Sequence, residues 1–156
     1  HAIAQIYEAS LKARGADCQI LSMRDLPADF AFTECFGSRS GEYSSIIDRY
    51  VIGADKYVFV LPEYHGGFPG VVKSFLDSLG SEAVRGKLAA LVGLSSGRAG
   101  NLRGLDAFAG ILSYLQVEVL ANRPKLSGIE EILSDGILES QEGMDRIEKQ
   151  IDQLLA

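Results

Sequence analysis

An α/β fold, with a parallel sheet covered by helices on both faces, is what this sequence predicts. Three observations carry that expectation. Short apolar runs alternate along the chain with stretches whose apolar residues recur at helical spacing. The clearest runs, KYVFVL (56–61) and KLAALVGLSS (87–96), are apolar without alternation, as strands buried on both faces are. The 156 residues suffice for one core, and no internal repeat, low-complexity tract or linker divides them. A single domain over residues 1–156 is expected, in three layers of helix, sheet and helix.

Each element has its own warrant. Residues 1–14 (HAIAQIYEASLKAR) put Ile3, Ile6, Tyr7 and Leu11 on one helical stripe, stopped by Gly15. No capping residue precedes His1, so the helix reads as entered partway. A doubly wound sheet that opens on a helix is expected to have a first strand ahead of it. CQILSM (18–23) reads as a short strand, and 24–40 as loop, with Pro27 and GSRSG (37–41) marking turns. A second helix over 42–54 carries Ile46, Ile47, Tyr50 and Val51. The strand at 56–61 leads to a third helix over 70–79, with Val71, Val72, Phe75, Leu76 and Leu79 on one side. After the strand at 87–96, a fourth helix is expected at 101–115 and a strand at 117–120. Residues 121–136 read as loop with Pro124. A last amphipathic helix is expected over 136–155, with Asp135 as its cap.

Composition excludes several function classes. With 47% hydrophobic and 23% charged residues, the chain is neither disordered nor fibrous. A net charge of -6 argues against a nucleic-acid footprint and against docking on an anionic membrane. No apolar run approaches the ~18 residues of a membrane span. No basic-then-apolar leader is present either, so cytoplasm is expected. Two cysteines, Cys18 and Cys35, make no disulfide framework.

In doubly wound folds, ligands sit beyond the carboxyl ends of the strands. Two chemically unusual loops occupy that position. In PEYHGGFPG (62–70), Gly66 and Gly67 let backbone approach a ligand with no side chain between, while Tyr64 and His65 are planar groups that can lie against a ring. Glu63 either caps local N–H groups or meets a partner subunit. Pro69 suits the first turn of the next helix. In SSGRAGN (95–101), the small residues Ser95, Ser96 and Gly97 leave backbone N–H groups unobstructed at a helix start, and Arg98 adds a charge. That loop either holds an anion or polar ligand edge, or is a plain connection with serine caps. GLSSG (93–97) also fits a nucleophile elbow on Ser95, but the elbow's partners follow the serine, and both histidines precede it. No set of His and Cys has metal-ligand spacing.

A flat ligand held by its faces and one polar edge describes a flavin. At these residues the sequence resembles the NADPH-dependent FMN reductase family. Pro62, Glu63, Tyr64, Pro69, Gly70, Lys73 and Asp77 match its P-E-Y-N-x-S-x-P-G-x-x-K-x-x-x-D block, with His65 in place of the asparagine and Gly67 in place of the serine. The resemblance implies a flavodoxin-like fold, with the phosphate-binding segment and first strand ahead of His1. It implies noncovalent FMN contacted by Pro62, Glu63, Tyr64, His65, Gly66, Gly67, Ser95, Ser96, Gly97 and Arg98. It implies NAD(P)H as electron donor, a quinone, azo compound or free flavin as acceptor, and a homodimer or homotetramer. A nonenzymatic flavodoxin-like electron carrier or interaction module is the alternative, and a serine hydrolase on Ser95 a more distant one.

Overall fold

The computed structural model describes residues 1–36 and 38–156. Gly37, in the turn expected at 37–41, lies outside the described residues. The strands are β1 (Lys56–Pro62), β2 (Leu88–Leu94), β3 (Glu118–Val119), β4 (Lys125–Leu126), β5 (Leu133–Ser134) and β6 (Ile137–Leu138). The main helices are α1 (Ala2–Ala13), α3 (Gly41–Ile47), α4 (Gly70–Ser78), α5 (Leu102–Tyr114) and α7 (Gln141–Leu155). Two single turns, α2 (Phe30–Thr33) and α6 (Ile129–Ile132), complete the set. A wider, π-helical turn extends α3 through Asp48–Ile52.

β1 and β2 pair in parallel over seven residues, from Lys56 opposite Leu88 to Pro62 opposite Leu94. The far edge of β2 is shared: Leu88 and Ala89 pair with β3, and Gly93 and Leu94 pair with β4. Alternation along β2 explains its uninterrupted apolar sequence. Ala89 and Leu91 face one core with α3, α4 and α5, while Ala90 and Val92 face another with α1 and α7.

The gap between β3 and β4 leaves the Leu91 carbonyl without a strand partner. A fully buried glutamine fills it. Gln150 Nε2 donates to Leu91 O (2.9 Å) and Asn122 O (2.6 Å), and Tyr7 Oη donates to Gln150 Oε1 at 2.6 Å. Burial first, and the Glu148 carboxylate second, push the Tyr7 phenol well above its usual range, so it remains a donor.

Three expectations change. Residues 18–23 form no strand: residues 16–22 have no ladder, and Met23 begins a short 3-10 turn. An open slot of about 930 Å3 is bounded by residues 16–24 on one side and by β1 on the other. No described strand lies in that slot to bond either edge, so Tyr57–Val60 are only half-buried while Ala89–Gly93 are buried. The expected strand at 117–120 shrinks to β3, and its sheet position resumes in β4 after Pro124, within the expected loop. The last helix starts at Gln141, capped by Ser140 Oγ accepting from the Gly143 N–H (3.1 Å), rather than near Asp135. Asp135 (φ 48°) and Gly136 (φ 82°) instead turn the β5–β6 hairpin, the two-residue geometry that Asp-Gly favours. No helix among the described residues is long and apolar enough to cross a membrane.

Gln150→Leu leaves two carbonyls and a phenol without partners in the core, and is expected to cost about 1–3 kcal/mol. The midpoint of urea unfolding checks this. An unchanged midpoint contradicts the assigned role.

Candidate functional site

β1 and β2 end side by side, and the two unusual loops leave the sheet together. The Glu63 N–H donates to Leu94 O at 2.7 Å, which carries the pairing one residue past the strand. The chain then folds into a tight turn. Tyr64 N donates to Gly67 O (2.9 Å) and Gly67 N to Tyr64 O (3.0 Å), around His65 (φ 52°) and Gly66 (φ 78°). Positive φ at both central residues is the type I′ turn. Histidine is among the few side chains that enter the left-handed region readily, which accounts for it beside a glycine. Tyr64 and His65 are exposed on the turn, and Pro62, Glu63, Gly66 and Gly67 are half-buried. Phe68 anchors the exit, edge-on to Phe108 of α5 with ring centroids 5.1 Å apart.

Glu63 acts as a cap, though not of a local group: its Oε2 accepts the Asn101 N–H at 3.1 Å at the start of α5. Asn101 is the residue that sequence reasoning missed. Fully buried and left-handed (φ 61°), it donates from Nδ2 to Leu61 O (2.9 Å) and Pro62 O (3.2 Å). Its Oδ1 is buried without a partner. One turn later, Gly104 lets α5 approach: a Cβ there would fall 2.0 Å from Asn101 Oδ1 and 2.7 Å from Phe68 N. The first turn of α5 thus grips the end of β1 and the loop after it.

The second loop is organised by its oxygens. Ser95 O accepts from Ile129 N, Gly97 O from Gly128 N, Arg98 O from Ser127 Oγ and Ala99 O from Leu102 N, at 2.8–3.0 Å. Ser96 Oγ adds a bond to Glu130 Oε1 at 2.8 Å. The N–H groups of residues 96–99 donate to no protein acceptor among the described residues. These residues are exposed, and no atom lies within 4 Å of a Cβ placed on Gly97. Four carbonyls tied back and four exposed N–H groups without a protein acceptor, with Arg98 among them, suit an anion or an electron-rich ligand edge. Ser95 does not serve as a nucleophile. It is buried, its Oγ donates to Gly97 O (2.8 Å) and accepts from Gly100 N (2.8 Å), and His65 makes no bond to it.

Comparison with known proteins agrees with this geometry. The family model described as NADPH-dependent FMN reductase matches residues 1–126. The chain belongs to the NADPH-dependent FMN reductase family. A curated relative, the 2-hydroxy-1,4-benzoquinone reductase of Burkholderia sp, is 29% identical over 115 residues. That match covers 64% of this chain and 62% of the relative, so the chain spans less than two thirds of that relative's length. Two solved structures share the fold. FerB, a flavoenzyme NAD(P)H:(acceptor) oxidoreductase from Paracoccus denitrificans, superposes with a TM-score of 0.80 at 18% identity, covering 99% of this chain and 86% of its own. An oxidoreductase from Corynebacterium diphtheriae gives 0.76 at 21%, covering 98% and 82%. The fold is therefore flavodoxin-like, α/β with a parallel sheet.

The family description names FMN and NADPH. The residues present fit the isoalloxazine part of FMN, because the 96–99 N–H groups match its carbonyl-bearing edge. The turn at 64–67, which carries two exposed planar side chains, leaves the sheet beside that loop.

His65→Asn is expected to leave stability unchanged, and His65→Val to cost about 1–2 kcal/mol, because a β-branched residue resists positive φ. Thermal unfolding of both variants checks the turn. Asn101→Gly keeps the backbone conformation but strips the donors from Leu61 O and Pro62 O. It is expected to cost about 1–3 kcal/mol and to weaken FMN binding, read by quenching of flavin fluorescence.

Proposed function

We propose that this protein is an FMN-dependent oxidoreductase that passes electrons from NAD(P)H to a small electrophilic acceptor such as a quinone, an azo compound or free flavin. The observation that carries this reading is the exposed 95–99 loop, where the carbonyls of Ser95, Gly97, Arg98 and Ala99 are bound back while four consecutive N–H groups have no protein acceptor among the described residues and Arg98 adds a charge. Such donors stabilise negative charge where a ligand edge develops it, and they need no reorganisation when it appears. Bound FMN supplies the capacity to take and give a hydride equivalent.

Pro62, Glu63, Tyr64, His65, Gly66 and Gly67 on one loop, and Ser95, Ser96, Gly97 and Arg98 on the other, are the proposed cofactor-binding residues. Their roles differ. The N–H groups of 96–99 and Arg98 meet the pyrimidine edge, the Tyr64–Gly67 turn shapes the space beside it, and Glu63 and Ser95 hold the two loops in place. The balance is NAD(P)H plus one proton plus quinone giving NAD(P)+ and hydroquinone, two electrons in all. The second proton comes from water, so no protein acid or base is required.

We further propose a homodimer or homotetramer in the cytoplasm, where NAD(P)H is supplied. Support for self-association comes from the α4–α5 face. Val71 and Leu102 are exposed on these helices, and exposed Tyr114 lines a groove of about 400 Å3 with Leu76, Ala107, Gly110, Ile111 and the Lys73–Asp77 ion pair. Exposed apolar residues on two adjacent helices with a groove between them suit packing between copies.

The visible spectrum of the purified protein with FMN tests the proposal. Flavin absorption that bleaches on adding NAD(P)H and returns on adding a quinone is the expected result. Bound flavin inert to NAD(P)H favours the electron carrier instead, and a protein that binds no FMN contradicts both.

A further inference from the structure

A second guanidinium stands at the same rim, and the proposed FMN contacts leave it unused. Arg103, in the first turn of α5, lies across the face of Gly66. A Cβ on Gly66 would fall 3.2 Å from one terminal nitrogen of Arg103, 3.5 Å from its central carbon and 3.7 Å from Nε. The side chain is exposed, and among the described residues no carboxylate lies within 4.0 Å of it. Arg14, Arg85, Arg123 and Arg146, by contrast, each pair with an acid. The acids on the neighbouring backbone are engaged elsewhere: Glu63 caps Asn101, and Asp106 pairs with Arg123 at 3.0 Å. In a protein of net charge -6, an unpaired arginine beside the ring-facing turn attracts an anion there.

We propose that Arg103 is a specificity-determining residue that binds the electron acceptor as an anion, selecting ionised hydroxyquinones over neutral quinones. The inference rests on the oxidoreductase reading above and names its substrate class. A hydroxyl on a quinone ring is a vinylogous acid. At neutral pH it is ionised, and its charge is shared over two oxygens in the ring plane. A guanidinium presents a planar fork of donors that matches two such oxygens, and its face can also stack on the ring. Arg98 lies on the 96–99 loop and is proposed for the flavin edge, which gives the two cations different ligands. The ionised acceptor takes the same two electrons and two protons as a neutral quinone, and its spared oxyanion is then protonated by water. The charge therefore acts in binding and not in the electron count.

The test uses the full chain loaded with FMN, wild type against Arg103→Gln and Arg103→Lys. The acceptors are 2-hydroxy-1,4-benzoquinone and methyl-1,4-benzoquinone. The ratio of their kcat/KM values is expected to fall about tenfold in R103Q, the size of one charge-assisted hydrogen bond, and to recover partly in R103K. Titration calorimetry on the oxidised protein, without NAD(P)H, should show the same loss in Kd for the hydroxyquinone. Salt at about 1 M, where the screening length is ~3 Å, should lower the wild-type preference. A ratio and Kd within twofold of wild type in R103Q overturn the proposal, as does a change confined to NADPH, which would assign the guanidinium to the donor's phosphate. A wild type that reduces neither quinone contradicts the oxidoreductase reading, and the calorimetric Kd values then still decide the role of Arg103.

Discussion

The site depends on the buried amide of Asn101. Its Nδ2 holds the last carbonyls of β1, its N–H is held by Glu63, and its left-handed backbone turns the chain from the second loop into α5. Residues about forty positions apart are thereby fixed in one place. Without that grip, β1 and β2 would still pair, because their ladder is independent of it. The angle between the loops that leave them would not be set. Burying an amide with its Oδ1 unpaired opposes folding, and the two donated bonds together with the close packing at Gly104 offset that cost.

A second constraint is directional. A loop at the carboxyl edge of a parallel sheet can present either carbonyls or N–H groups to a ligand. Here residues 127–129 and Leu102 take the carbonyls of Ser95, Gly97, Arg98 and Ala99, which leaves the 96–99 N–H groups and the Ser96 carbonyl without a protein partner among the described residues. The polarity of the site thus comes from the segment behind it. Arg98 and Arg103 bring two cations to this rim, beside the Glu130 carboxylate held by Ser96, and the proposed ligands are the groups these cations would meet.

Much of the fold was legible because strong local patterns wrote it. The apolar strands, the helical stripes and the Pro-Gly punctuation of 62–70 placed both loops at the carboxyl edge of the sheet. Failures occurred where the answer is non-local. CQILSM has strand composition, yet a strand needs a bonded neighbour, and its flank is an open slot. Pro124 hid the return of the chain to the sheet at β4. Asp135 suits a helix cap by itself, but followed by Gly136 it equally suits a hairpin turn, and only the β5–β6 pairing decides between them. In the site, Gly66 and His65 were visible from sequence as a glycine-rich turn. Asn101 was not, because nothing local distinguishes a clamp on distant carbonyls from an ordinary polar residue at a helix start. Arg103 was hidden for the same reason: only the fold brings α5 over Gly66.

Amide hydrogen exchange of the protein with and without FMN tests the central claim most directly, because free N–H groups are what the second loop is said to offer. Slowed exchange at residues 96–99, accompanied by protection in the 64–68 turn, is the predicted result. Protection confined to other segments, with 96–99 exchanging as fast as in the free protein, would contradict the account.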